Sequence, residues 1–232
     1  RNIIVVSKSL KDTAFIHSNK FASPQKILYV QAKSNKSLIK QINKVSKKAI
    51  AVFKANEIKE KQKRIKNSVL TTKELDSIGI NLTMSSGYKL FKKDSKGKFW
   101  FQRETQKGSV NVLVYTLPLF KETLDLDKVI FLRDSIGKAF VPGRNKESYI
   151  ITEEAYRPYF FKTKVSSLNA FETRGTWEVV NDYMAGPFLN YFIEDKKNNR
   201  TLVVEGFVFS PSVRKREYLV ELEAIIRSLK IL

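Results

Sequence analysis

Apolar and polar positions alternate with period two along 171–180. Phe171, Thr173, Gly175, Trp177 and Val179 fall on one side, and Glu172, Arg174, Thr176, Glu178 and Val180 on the other. This is the pattern of a half-buried strand. Turn chemistry follows at Asn181-Asp182 and at Ala185-Gly186-Pro187, then a second strand over 188–193 and a polar turn over 195–200. A third strand, 202–209, is apolar on both faces except at Glu205. Such a strand lies centrally in a sheet covered on both sides. Leu219, Leu222, Ile225, Ile226 and Leu229 then recur at three- and four-residue spacing, which predicts a terminal helix.

Upstream, strands are predicted at 2–6 and 26–32, with an irregular polar stretch at 7–24 that holds the sole histidine, His17. Leu38, Ile42, Val45, Ala49, Val52 and Phe53 predict a long helix from Ser37 to about residue 66. Its second half, 59–66, is strongly basic and is expected to project into solvent. A short helix is predicted at 72–78. Extended segments at 81–83, 88–92, 99–104 and 110–117, joined by polar turns, read as an antiparallel meander that Pro118 stops. A helix over 125–140 follows, then a Pro-Gly loop at 141–146 and extended segments at 149–152 and 160–164.

The predicted class is α+β, an antiparallel sheet flanked by helices. One domain, 1–232, is expected, with subregions 1–78, 79–140 and 141–232. Strand 110–118 with its helix echoes strand 202–211 with its helix, and two meander-plus-helix half-units in one sheet would account for this. The order resembles the Mog1/PsbP-like class, an analogy of fold that carries no function.

Several motifs together carry a family resemblance: ETRGTWEV, DYMAGPF, VVEGFVFSP and a terminal helix ending in SLK, with RNIIVVS at the start, KFWFQRET at 98–105 and FVPGRNKESYIITEE at 140–154. They resemble a Bacteroidetes family known as domain of unknown function 4837, whose members are predicted lipoproteins. The resemblance implies an envelope location through a lipid anchor at the outer membrane, on a cysteine upstream of Arg1, and an N-terminal segment missing here. It brings no catalytic residues.

The 232 residues, 42% hydrophobic, are enough to fill a core. No apolar run approaches the roughly 18 residues of a membrane helix, and nothing at Arg1 reads as a signal peptide. The absence of cysteine excludes disulfides, thiolate zinc sites and a thiol nucleophile. A formal charge of +20 suits anionic partners such as nucleic acid, lipid headgroups or an acidic protein, and equally a lysine-rich solvated surface.

Glu205 is the first candidate for chemistry, because a buried carboxylate needs a partner. Arg174 is the expected partner and Arg103 the second choice, either as a structural ion pair or as part of a cleft. Glu172, Glu178 and Asp182 offer acids for glycosidase-type work near Trp177, although any acidic hairpin would do so. Trp100, Trp177, Tyr183, Phe188 and Tyr191, with the two arginines, read as a ligand or stacking platform or as core packing. The candidate binding set is therefore Arg103, Arg174, Trp177, Glu178, Asp182, Tyr183 and Glu205. His17 stands without a second histidine, there is no phosphate-binding glycine motif, and DSKG at 94–97 lacks calcium-loop acids, so no cofactor or metal is expected.

The expected function is a non-catalytic envelope module that binds another envelope protein or an anionic envelope component. A basic protein that binds nucleic acid or other anions is the alternative, with no sequence-specific nucleic acid expected. A hydrolase using the acids near Trp177 is the third reading.

Overall fold

Residues 2–120 and 122–232 are described by a computed structural model. Arg1, the first residue of the RNIIVVS motif, and Lys121 lie outside them. The chain divides into two compact units, residues 1–63 and 64–232, and each is described by itself. The expected subregion boundaries at 78 and 140 fall inside the second.

In the first unit, β1 (Asn2–Lys8), β2 (Thr13–Ser18) and β3 (Lys26–Ala32) form a sheet in the order β1-β3-β2. β1 runs parallel and β2 antiparallel to β3. Helix α1 (Asn35–Ile65) lays Leu38, Val45, Ala49 and Phe53 on the face of Leu28 and Val30. β2 corrects the expected irregular stretch. Ala14 and Ile16 pair with Val30 and Leu28 on the face α1 covers, while Phe15 and His17 fall on the other. Polar flanks hid this short alternation. Phe15 stacks on Tyr29 at 5.2 Å between ring centroids.

The second unit opens with α2 (Lys73–Asp76) and β4 (Ile80–Asn81), followed by β5 (Lys89–Lys93), β6 (Phe99–Thr105) and β7 (Gly108–Pro118). Helix α3 (Leu126–Phe140) starts on an Asp125 cap whose side chain accepts from the Lys128 N–H at 2.8 Å. β8 (Ile150–Thr152), β9 (Tyr159–Val165), β10 (Leu168–Val179), β11 (Ala185–Asp195) and β12 (Arg200–Phe209) follow. Helix α4 (Arg216–Ile226) and β13 (Lys230–Ile231), which pairs with β4, end the chain. The main sheet has the order β5-β6-β7-β12-β11-β10-β8, with β9 on β10, and its pairs are antiparallel. β12 is central, as its two-sided apolar pattern requires. Ala185-Gly186-Pro187, expected as a turn, instead opens β11, where Pro187 pairs with Thr176. The reversal falls one step earlier, at 180–184.

The register makes two faces of this sheet. Trp100, Leu113, Trp177, Phe188, Val203 and Phe207 share one, covered by Val129 and Phe140 of α3. The other carries Tyr191, Val204 and Gly206 under α4. Two glycines set the spacing. A Cβ on Gly206 would stand 2.8 Å from the Leu222 side chain, and one on Gly137 would stand 2.1 Å from the Ile150 carbonyl oxygen. Only glycine lets α4 and α3 lie this close. The meander-plus-helix order does repeat. However, the two helices cover opposite faces, while β7 and β12 meet antiparallel, so no rotation superposes the halves.

Candidate functional site

Glu205 alternates inward on β12 between Val203 and Phe207, on the face that α3 covers. α3 answers it with Arg133, four residues after Val129 and three before Ile136, on the helix's own apolar stripe. The Arg133 Nε donates to both Glu205 oxygens at 3.1 Å, and Nη2 donates to Oε1 at 2.8 Å. The Asn190 amide donates to Oε2 at 2.7 Å. The remaining guanidinium nitrogen, Nη1, donates to Thr152 Oγ1 at 3.0 Å and to Asp134 Oδ1 at 3.2 Å. Below, the guanidinium carbon lies 4.0 Å from the Phe188 ring centroid. Both ionic side chains are 3% exposed. An arginine fork suits such a place, since it keeps its charge and matches a carboxylate with two bonds.

The expected pairing of Glu205 with Arg174 or Arg103 is thus corrected. Glu205 lies across from Asn190, and Asn190 across from Thr173, so Arg174 is one residue out of step and points to the opposite face. Arg103 lies across from Val110, itself across from Val208, and shares that opposite face. There Arg174 donates to Glu172, and to Glu223 Oε2 at 2.6 Å. Arg227 donates to Glu223 Oε1 at 2.9 Å and lies 3.6 Å from Glu172 Oε2. Arg103 reaches Glu221 Oε1 at 2.8 Å, and the Tyr88 hydroxyl donates to the same oxygen at 2.9 Å. Burial, reinforced by Glu221, pushes the Tyr88 phenol well above its ordinary range.

The other expected site residues are scattered. Trp177 is core, its ring 5.9 Å from that of Phe207. Glu178, half-buried, lies opposite Ile151 near the end of β10. Asp182 takes both bonds of the Arg144 fork at 2.7 Å, which holds its carboxyl below the usual carboxylate range. Tyr183 is fully exposed. The structure therefore gathers Trp177 and Glu205 on the α3 face, Arg103 and Arg174 on the α4 face, and Asp182 with Tyr183 at the β10–β11 turn.

At its outer end the buried clamp meets solvent. Asp134 Oδ1 accepts from the Thr152 N–H and hydroxyl, each at 2.8 Å, tying α3 to β8. Asp134 and Thr152 form part of the lining of an open groove of about 600 Å³, whose other walls include Tyr149, Glu153, Glu154 and Arg157. The size is that of a small-ligand site. Three of its four charged lining residues are acids, in a chain of formal charge +20. Behind it, burial followed by the Glu205 charge raises the Tyr115 phenol, so its proton stays on. Among the described residues the buried Tyr115 hydroxyl and Asn190 amide oxygen make no well-formed hydrogen bond. Among the described residues no group of three or more His, Cys, Asp or Glu side chains forms a metal set. Arg133 was discoverable as the one charge on an apolar helical stripe. Asp134, Thr152, Glu153 and Glu154 carry no such signal, because only the folding of β8 beside α3 joins them.

Fold and site define an α+β protein whose antiparallel sheet carries an acidic groove at one helix. The chain belongs to the family described as Domain of unknown function (DUF4837), whose model matches residues 66–228. A second model, Domain of unknown function (DUF8532), matches residues 1–66, so RNIIVVS falls outside the first match. The two matches meet close to the boundary of the compact units. No curated protein matches the sequence. Among solved structures, the Ran-binding protein Mog1p of Saccharomyces cerevisiae is similar at 9% identity and a TM-score of 0.43, over 68% of this chain and 92% of that one. LpqN of Mycobacterium tuberculosis, described as involved in cell envelope biogenesis, is similar at 10% identity and 0.37, over 66% and 82%. A mutant form of the protein Mog1 is similar at 9% and 0.37, over 66% and 90%.

Proposed function

We propose that the chain is a non-catalytic binding module of a Bacteroidetes cell envelope, lipid-anchored at the outer membrane, and that its second unit receives an envelope component in the α3–β8 groove. The observation that carries the binding part is the groove's construction. Its acidic wall rests on Asp134 and Thr152, and these are fixed from behind by a buried arginine that also clamps Glu205. A recognition surface held by packed, hydrogen-bonded neighbours loses little freedom when it binds. The envelope part rests on the resemblance of the family to predicted lipoproteins. Among the described residues no helix is long and apolar enough to cross a membrane.

The hydrolytic reading finds less support. Glu172 is held between Arg174 and Arg227, and Asp182 is held by Arg144. Carboxylates committed to arginine forks are not free to serve a substrate as acid or base.

The test is envelope fractionation of cells producing the complete protein, followed by affinity capture from the solubilised envelope. The protein should enter the membrane fraction and leave it with detergent. Wild type should capture a component that Glu153→Lys with Glu154→Lys loses and that Arg216→Ala, on α4, keeps. Recovery in the cytosol overturns the envelope reading, and equal capture by the groove variant overturns the groove.

A further inference from the structure

The first unit holds fifteen of the chain's lysines and arginines but only three acids, and no acid at all lies between Asp12 and Glu57. Most of this charge sits on α1. Lys36, Lys40, Lys44 and Lys47 follow one another at three- and four-residue steps, with Lys48 beside them, and all five are exposed. They form one face of the helix, opposite the Leu38, Val45 and Ala49 stripe that packs on the sheet. From Lys36 to Lys48 the face runs about 18 Å along the axis. A solvated helix face ordinarily mixes signs through i,i+4 pairs. Here the sequence supplies no carboxylate to mix.

Two apolar residues edge this face. Ile39, 62% exposed, stands three residues after Lys36, and Ile50, 65% exposed, stands three after Lys47. Neighbours at that spacing share the surface. We propose that the lysine face of α1 docks on the anionic phospholipid surface of a bilayer, with the helix lying along the plane and Ile39 and Ile50 entering the headgroup boundary. Lysine suits this, as a point charge on a flexible stem that reaches lipid phosphates while its methylenes lie on apolar surface. Nucleic acid would be better served by arginine forks and stacking rings, and this face carries neither. The proposal is independent of the groove, since purified protein and vesicles suffice to test it.

The experiment is co-sedimentation of the full chain with vesicles of phosphatidylcholine, with and without phosphatidylglycerol. Binding is expected only where phosphatidylglycerol is present, and should fall as salt shortens the screening length to about 3 Å near 1 M. The quartet K36E/K40E/K44E/K47E should weaken binding about a hundredfold or more, at roughly one lipid-facing charge per residue. A quartet of equal charge on exposed lysines of the second unit, K89E/K107E/K146E/K197E, should weaken it less than about tenfold. I39S/I50S, with every charge kept, should weaken it by about tenfold or more. Circular dichroism checks the fold, and glutamine at the same four α1 positions serves if the glutamate quartet unfolds. Equal binding to pure phosphatidylcholine, equal losses from the two quartets, or displacement of the protein from vesicles by an equal phosphate concentration of single-stranded oligonucleotide overturns the proposal.

Discussion

The two faces of the main sheet solve one problem in opposite ways. On the α3 face the helix supplies the arginine and the sheet the carboxylate, Arg133 and Glu205, both 3% exposed. On the α4 face the sheet supplies Arg174 and Arg103, while the helix supplies Glu223 and Glu221. There Arg174 and Arg227 remain 28% and 26% exposed and lie over glutamates that are nearly fully buried. The first arrangement has one cation for one interior acid. The second is a net-neutral four, with Arg174 and Arg227 each reaching both Glu172 and Glu223. Losing a partner is therefore a different event on each face. Behind the groove it strands a desolvated charge, whereas under α4 a second cation and nearby water soften the loss.

The largest effect should come from Arg133→Met. Glu205 would keep only the Asn190 amide, and a stranded interior charge costs about 3–5 kcal/mol. Urea unfolding measures this. Arg133→Met with Glu205→Leu should recover most of the loss, because two apolar groups leave nothing unpaired. A single-variant loss below about 1 kcal/mol would mean that water reaches Glu205 and that the contrast between the faces is wrong.

Ile225→Ala ranks next. Ile225, a residue of α4, is completely buried, and deleting such a side chain costs about 2–5 kcal/mol. This measures the apolar contribution of the α4 face apart from its charges. A change under about half a kcal/mol would make α4 peripheral. Arg174→Met should cost less, about 1–2 kcal/mol, since Arg227 still faces both glutamates. A loss as large as that of Arg133→Met would show that the α4 network is as desolvated as the clamp.

Periodicity revealed most of this fold. The strands of the main sheet and both of its helices follow from spacing two or three-and-four, and the burial of Glu205 follows from its place in an apolar strand. Its partner did not follow. Choosing Arg133 over Arg174 requires strand order and register, and a one-residue step sends Arg174 to the other face. β2 was missed because two inward residues, Ala14 and Ile16, carry too little pattern against polar flanks. The groove was illegible for a further reason, since Asp134 and Glu153 meet only when β8 closes against α3.

The smallest effect belongs to the Arg144–Asp182 pair at the β10–β11 turn, whose cation lies in solvent. Its geometry is as good as that of the clamp, with two bonds of 2.7 Å. Arg144 is nonetheless 66% exposed, while the Asp182 side chain it covers is 2% exposed, so water competes for the guanidinium and takes its place at the turn when the arginine is removed. The Arg144 hydrogen bonds hold the Asp182 carboxyl below its ordinary value. A carboxyl whose folded pKa lies below its unfolded value, near about 3.9, adds stability above that value and loses it as pH falls through the folded pKa. Arg144→Ala should therefore raise the Asp182 midpoint toward the ordinary range, read by carbon NMR of the carboxyl. The melting temperature at neutral pH should stay close to that of wild type, and any difference should vanish at a pH below both pKa values. A midpoint that does not move would mean that the fork is absent in solution. A melting temperature that falls as far as in Arg133→Met would erase the distinction between good geometry and desolvation on which the comparison of the two faces stands.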